Sequence, residues 1–211
     1  MIMKSSTRKL ALTAHVLTSI GWAGALTVFL AHAIAGEFAQ DPQLVRAVCI
    51  AMGLTAWFVI LPLSLASLVT GVIQALGTAW GLFRHYWVIA KLLLTAFATL
   101  ILLLKLAPIS DLAKAAATST FTESDTSGLR LSLLVHSVGG LAVLLVITAL
   151  AIYKPNGITS YGTRKYSITA NSEVVNAMPK WVKVSGAIAL IGTALLAMAL
   201  LHGGHGPNIH G

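Results

Sequence analysis

Five long apolar runs, at roughly 10 to 35, 44 to 76, 86 to 106, 129 to 152 and 182 to 202, limit what this chain can fold into. Crossing a hydrocarbon core of roughly 30 Å takes about 20 apolar residues in a helix, because the helix pairs every backbone polar group internally. Each run meets that length, and polar or Gly/Pro-marked stretches separate them. The expected fold is all-α: a single polytopic transmembrane helical bundle of about five spans covering 1–211, with a short tail at 203–211. Charged residues are only 9% of the chain against 57% hydrophobic, whereas about a quarter of a soluble domain is charged. The lone Cys49 excludes an intramolecular disulfide and a Cys-based zinc site.

A net charge of +8 would suggest nucleic acid in a soluble protein; here topology accounts for it and no nucleic-acid partner is expected. Cytoplasmic segments of membrane proteins retain Lys and Arg. With the N-terminus inside and the C-terminus outside, Lys4, Arg8, Lys9, Arg84, Lys91, Lys154, Arg164, Lys165, Lys180 and Lys183 lie at the inner face, leaving Arg46, Lys105, Lys114 and Arg130 at the outer one. Five of the six acids then fall outside. The expected location is the inner, cytoplasmic membrane of a bacterium. Lys91, Lys105 and Lys183 stand just inside span ends, where a long stem can carry the ammonium back to the headgroups. The first run is about twice the usual 7 to 15 residues of a signal-peptide core, so it is read as a retained span.

Pro62 lies inside the second, unusually long run and removes a backbone donor, which predicts a kink near Phe58 to Pro62. The outer loop, 107 to 128, is rich in Ala, Ser and Thr and has room for a short surface helix. The inner loop, 153 to 180, carries turn signals at Pro155-Asn156-Gly157 and a basic Arg164-Lys165 pair suited to anionic headgroups.

Seven histidines stand out: His15, His32, His85, His136, His202, His205 and His210. Titratable groups inside a bilayer are expensive and usually face a bundle interior, which makes His15 and His136 functional candidates. Gly139 and Gly140 follow His136 at i+3 and i+4 on the same face, a bare strip that admits either a porphyrin plane or a closely packed helix. Histidine is a common axial ligand of haem iron. His15 has Thr18 and Ser19 on its face and Trp22 one heptad on; either hydroxyl is also able to satisfy a structural imidazole.

Depth separates the histidines. At about 1.5 Å per residue, His15 lies roughly 9 Å above Lys9, and His136 about 10 Å below Leu129. The better-matched pairs are His15 with His85 near the inner surface and His32 with His136 near the outer one, a layout open to two haems. His85 also stands in an interfacial run, Phe83-Arg84-His85-Tyr86-Trp87, whose aromatics need no ligand. His202, His205 and His210 place three imidazoles in the tail, a set that suits copper, zinc or nickel, or merely solvation. The sequence holds no Walker loop, G-x-S-x-G elbow, H-E-x-x-H helix or dinucleotide fingerprint.

The segment His15-Val16-Leu17-Thr18-Ser19-Ile20-Gly21-Trp22-Ala23-Gly24 resembles the opening helix of copper-resistance D-type membrane proteins, a His followed by Trp seven residues later and then a Gly. More broadly, Gly71 to Lys91 and Leu134-Val135-His136-Ser137-Val138-Gly139-Gly140 resemble an uncharacterised family of bacterial integral membrane proteins. The copper-resistance D group is associated with copper movement and is related in outline to cytochromes of the b561 kind. Three functions are therefore carried forward: a b-type haem protein of membrane electron transfer, with a membrane redox partner or quinone; a copper-handling protein; and a non-catalytic accessory subunit.

Overall fold

A computed structural model describes residues 3–78, 80–118 and 123–167. The expected fifth span at 182 to 202, the tail and its His202, His205 and His210 lie outside the described residues. The described chain folds into six α-helices and one π-helical turn: α1 (Ser5–Phe38), α2 (Pro42–Thr55), the π-turn (Ala56–Ile60), α3 (Leu61–Gly77), α4 (Tyr86–Ala117), α5 (Glu123–Tyr153) and α6 (Ser160–Ser167). Four stretches among the described residues are long and apolar enough to cross a bilayer: Ser5–Phe38, Pro42–Gly77, Tyr86–Ala117 and Thr126–Tyr153. The chain is a multi-pass membrane protein.

The spans form a ring. α1 packs on α2–α3 and on α5, while α4 closes the far side against the same two neighbours. Side chains that would be core in a soluble protein instead face outward, as with Phe58 at 75% exposed and Leu17 at 66%. Such faces meet lipid. The interior is built from Trp22, Phe29, Val45, Met52, Ile60, Leu112, Leu133 and Leu144.

The predicted kink takes the form of the π-turn. Pro62 has no N–H and its ring crowds the carbonyl one turn earlier; the Leu61 N–H reaches back five residues to the Ala56 oxygen, which absorbs the mismatch as a bulge. Pro108 sits inside α4 without ending it.

The boundary expected at residue 106 is corrected by this packing. Residues 107–117 continue α4 instead of forming a loop, because Ile109, Leu112 and Ala116 are buried and because Arg46 of α2 caps the helix end. Its Nε donates to the Ala116 carbonyl at 2.9 Å and its NH2 group to that of Thr118 at 2.6 Å. These are orphan carbonyls of a helix C-terminus, where a cation also meets the negative end of the dipole. Arg130 of α5 serves α1 similarly, donating from NH1 to the Gly36 carbonyl at 2.9 Å.

The other end of the bundle is held by paired loops. The Met3 N–H donates to Gly77 O, an isolated antiparallel bridge joins His85 to Ile158, and Thr159 ties the segment before α6 to the segment before α4. Its hydroxyl donates to Phe83 O at 2.6 Å and accepts from the Gly162 N–H at 3.1 Å.

Candidate functional site

The first imidazole comes from α1. His15 Nδ1 lies 3.2 Å from Thr70 Oγ1 on α3. The Thr70 hydroxyl already donates to Ala66 O at 2.6 Å, so His15 Nδ1–H is the donor and Nε2 carries the lone pair. Gly71 lets the ring lie against the α3 backbone, since a Cβ there would sit 3.1 Å from His15 Cε1. Ser19 and Ser67 meet one turn further along at 2.8 Å. Hydroxyls and glycine thus form a small-residue seam of the kind that joins membrane helices.

His85 belongs to the loop architecture. It precedes α4, its Nδ1 is 3.0 Å from Trp80 O, and its ring meets Trp80 edge-on with centroids 5.2 Å apart. Among the described residues no hydrogen bond or ring contact joins His85 to His15.

His136 is 8% exposed, midway along α5. Its Nδ1 lies 2.6 Å from Ser132 O. A carbonyl can only accept, so Nδ1 carries the proton of the neutral ring and Nε2 presents a lone pair. That Nε2 is buried and has no hydrogen-bond partner. An unpaired acceptor of this kind costs about 1–3 kcal/mol. The Ser132 hydroxyl stands 3.4 Å from His136 Nδ1 and accepts from Lys105 Nζ at 3.3 Å.

Two contacts fix the register of α1 against α5. Arg130 reaches the Gly36 carbonyl, and a Cβ on Gly140 would meet Leu26 Cδ2 at 3.2 Å. Each paired set of residue numbers has the same sum in this antiparallel pair, which puts His136 opposite position 30. His32 is two residues away, about 3 Å in height. Its Nδ1 is also buried without a partner. The register therefore puts His32 within about one helical turn of the height of His136. The Gly139–Gly140 strip divides: Leu26 covers Gly140, while nothing lies within 4 Å of a Cβ at Gly139.

Two site residues were hidden in the sequence. Lys105 is 9% exposed. It does not reach the headgroups as expected from a span end at 106, because α4 runs on to Ala117 and the ammonium turns to Ser132. Arg130, read as a surface charge, is 8% exposed with its Nε unpartnered. The only available signal was a basic residue set among leucines, Leu129-Arg130-Leu131-Ser132-Leu133-Leu134.

Elsewhere, a cavity of about 290 Å³ lies beside the π-turn and is lined by Trp57, Phe58, Ser110 and Lys114 among others. Trp57 Nε1 donates to Ser110 Oγ at 2.7 Å. Among the described residues no group of three or more His, Cys, Asp or Glu side chains converges as a metal site would require.

Fold and site together define an all-helical multi-pass membrane protein with buried polar side chains, His136, Lys105 and Arg130, where α5 packs on α1 and α4. No family model, curated protein or solved structure matches the chain.

Proposed function

We propose that this is a five-span protein of the bacterial cytoplasmic membrane, N-terminus inside and C-terminus outside, which binds b-type haem through His136 and takes part in membrane electron transfer. The observation that carries the reading is the His136 ring: Nδ1–H held by a backbone carbonyl and Nε2 buried with nothing to accept from. An imidazole presented to a metal is ordinarily oriented in this way, by a hydrogen bond from its other nitrogen. His32, within about one helical turn of its height on the adjacent helix, is the second axial candidate. Haem would supply one-electron exchange, with axial ligation and burial tuning its potential. His15, with the same Nδ1–H arrangement, marks the other half of the bundle as a second position; His85, committed to the loop, is the weaker partner there.

Orientation is supported by the fate of the minority cations. Arg46 and Arg130 cap helices, Lys105 is buried, and Lys114 pairs with Asp111 at 3.7 Å. All four have protein partners, which leaves the basic excess at the end carrying Lys4, Arg8, Lys9 and Lys154, as the cytoplasmic side requires.

The test is the absorption spectrum of the purified protein. The parent should show a Soret band with low-spin α and β bands. His136→Ala should lose or sharply shift it while still inserting, and His136→Gln should not restore it, because an amide is a poor iron ligand. A colourless parent refutes haem binding and leaves the copper-handling and accessory readings. A spectrum unchanged in both variants refutes His136 as ligand.

A further inference from the structure

Lys105 on α4 and Arg130 on α5 are two buried cations. On α5, Ser132 turns toward α4, where it meets Lys105, and Arg130 turns toward α1, where it meets Gly36 O. His136 lies between these two directions and one to two turns deeper. Both side chains are more than nine-tenths buried. Lys105 has one neutral hydroxyl partner at 3.3 Å, and Arg130 one carbonyl, with Nε left unsatisfied. The nearest acid along α1, Glu37, leaves its own Oε2 buried and unpartnered, and Asp111 pairs with Lys114 instead. Buried charge is retained only where it is paired. Here two positive charges are left with donors to spare, and a guanidinium fork suits an oxyanion.

We infer that the spare donors of Lys105 and Arg130 bind an oxyanion, a carboxylate or a phosphate. The group has two possible sources. A carboxylate edge of the cofactor proposed at His136 is one, and that case rests on the proposed function. The phosphate of an anionic lipid entering from the membrane is the other, and that case does not. Arg130 stands six residues from His136, about 9 Å along the helix, so a ligand on His136 and an oxyanion at Arg130 occupy separate positions.

The experiment uses the full chain, delipidated in mild detergent, with Lys105→Met and Arg130→Gln variants. Lys105→Met keeps the length of the stem and removes a buried charge, so it folds whether or not an anion binds. Retention of phosphatidylglycerol over phosphatidylcholine is read by native mass spectrometry. Binding of haem and of its dimethyl ester, which lacks free carboxylates, is read by absorbance. The expected result is a tenfold or greater preference of the parent for the acidic member of at least one pair, lost in both variants. Loss confined to the lipid pair assigns the phosphate; loss confined to the haem pair assigns the carboxylate. No preference in the parent, or a preference that survives in both variants, overturns the oxyanion site. If the parent takes no haem yet its lipid preference depends on Lys105 and Arg130, the oxyanion site stands and the haem reading falls. If haem and its ester bind alike and the two lipids are equivalent, the haem reading stands and the oxyanion site falls.

Discussion

Gly53→Ala tests a close approach of two helices in the bundle. Gly53 on α2 faces Ala113 on α4, and a Cβ at Gly53 would stand 2.7 Å from the Ala113 Cβ. Two methyl carbons rest about 3.5–4.0 Å apart, so the helices must separate by roughly 1 Å at this point. Neither carbon is the flexible end of a long side chain, and the same helices are clamped further along by Arg46 on the α4 terminus. Overpacking of this kind costs about 1–3 kcal/mol. Against it stands a gain of at most about 1 kcal/mol from replacing a helical glycine with alanine. The expected net is a destabilisation of about 0.5–2 kcal/mol, measured by reversible denaturant or thermal unfolding in detergent. Ala113→Gly should remove the opposing methyl, so the double variant should recover most of the loss, with a coupling of about 1 kcal/mol in a double-mutant cycle. If Gly53→Ala is as stable as the parent, or the double variant is no better than the single one, α4 does not pack here and residues 107–117 revert to the loop that their composition suggested.

Other perturbations address other parts of the structure. Arg46→Gln should free the Ala116 and Thr118 carbonyls, destabilise the protein by about 1 kcal/mol, and accelerate amide hydrogen exchange in the last turn of α4; unchanged exchange would refute the capping role. Ser67→Ala should cost about 0.6–1.7 kcal/mol by removing the Ser19 partner, and Ser19→Ala added to it should cost little more, a non-additivity read in the same unfolding assay. In a Cys49→Ser background, Gln40→Cys should react with an impermeant maleimide from outside intact cells, while Ser160→Cys should be protected; the reverse pattern would invert the proposed topology.

The apolar runs determined that the chain folds as helices in a membrane, because run length against bilayer thickness is a one-dimensional comparison. Pro62 likewise marked its irregular turn in advance, since a missing N–H acts wherever the helix lies. Boundaries were different. Residues 107–117 are weakly apolar, and only burial of Leu112 and Ala116 with Arg46 at the helix end made them part of α4. His136 was legible as an imidazole inside a span. Which of its nitrogens is free came from the bond of Nδ1 to the Ser132 carbonyl one turn back in α5, and the height of His32 relative to it came from the register of α1 against α5 set by Arg130 and by Leu26 beside Gly140. Lys105 and Arg130 read as surface charges because the sequence lists a cation without its neighbours. Only the tertiary structure decides whether an ammonium faces headgroups or a buried hydroxyl, and here it chose Ser132.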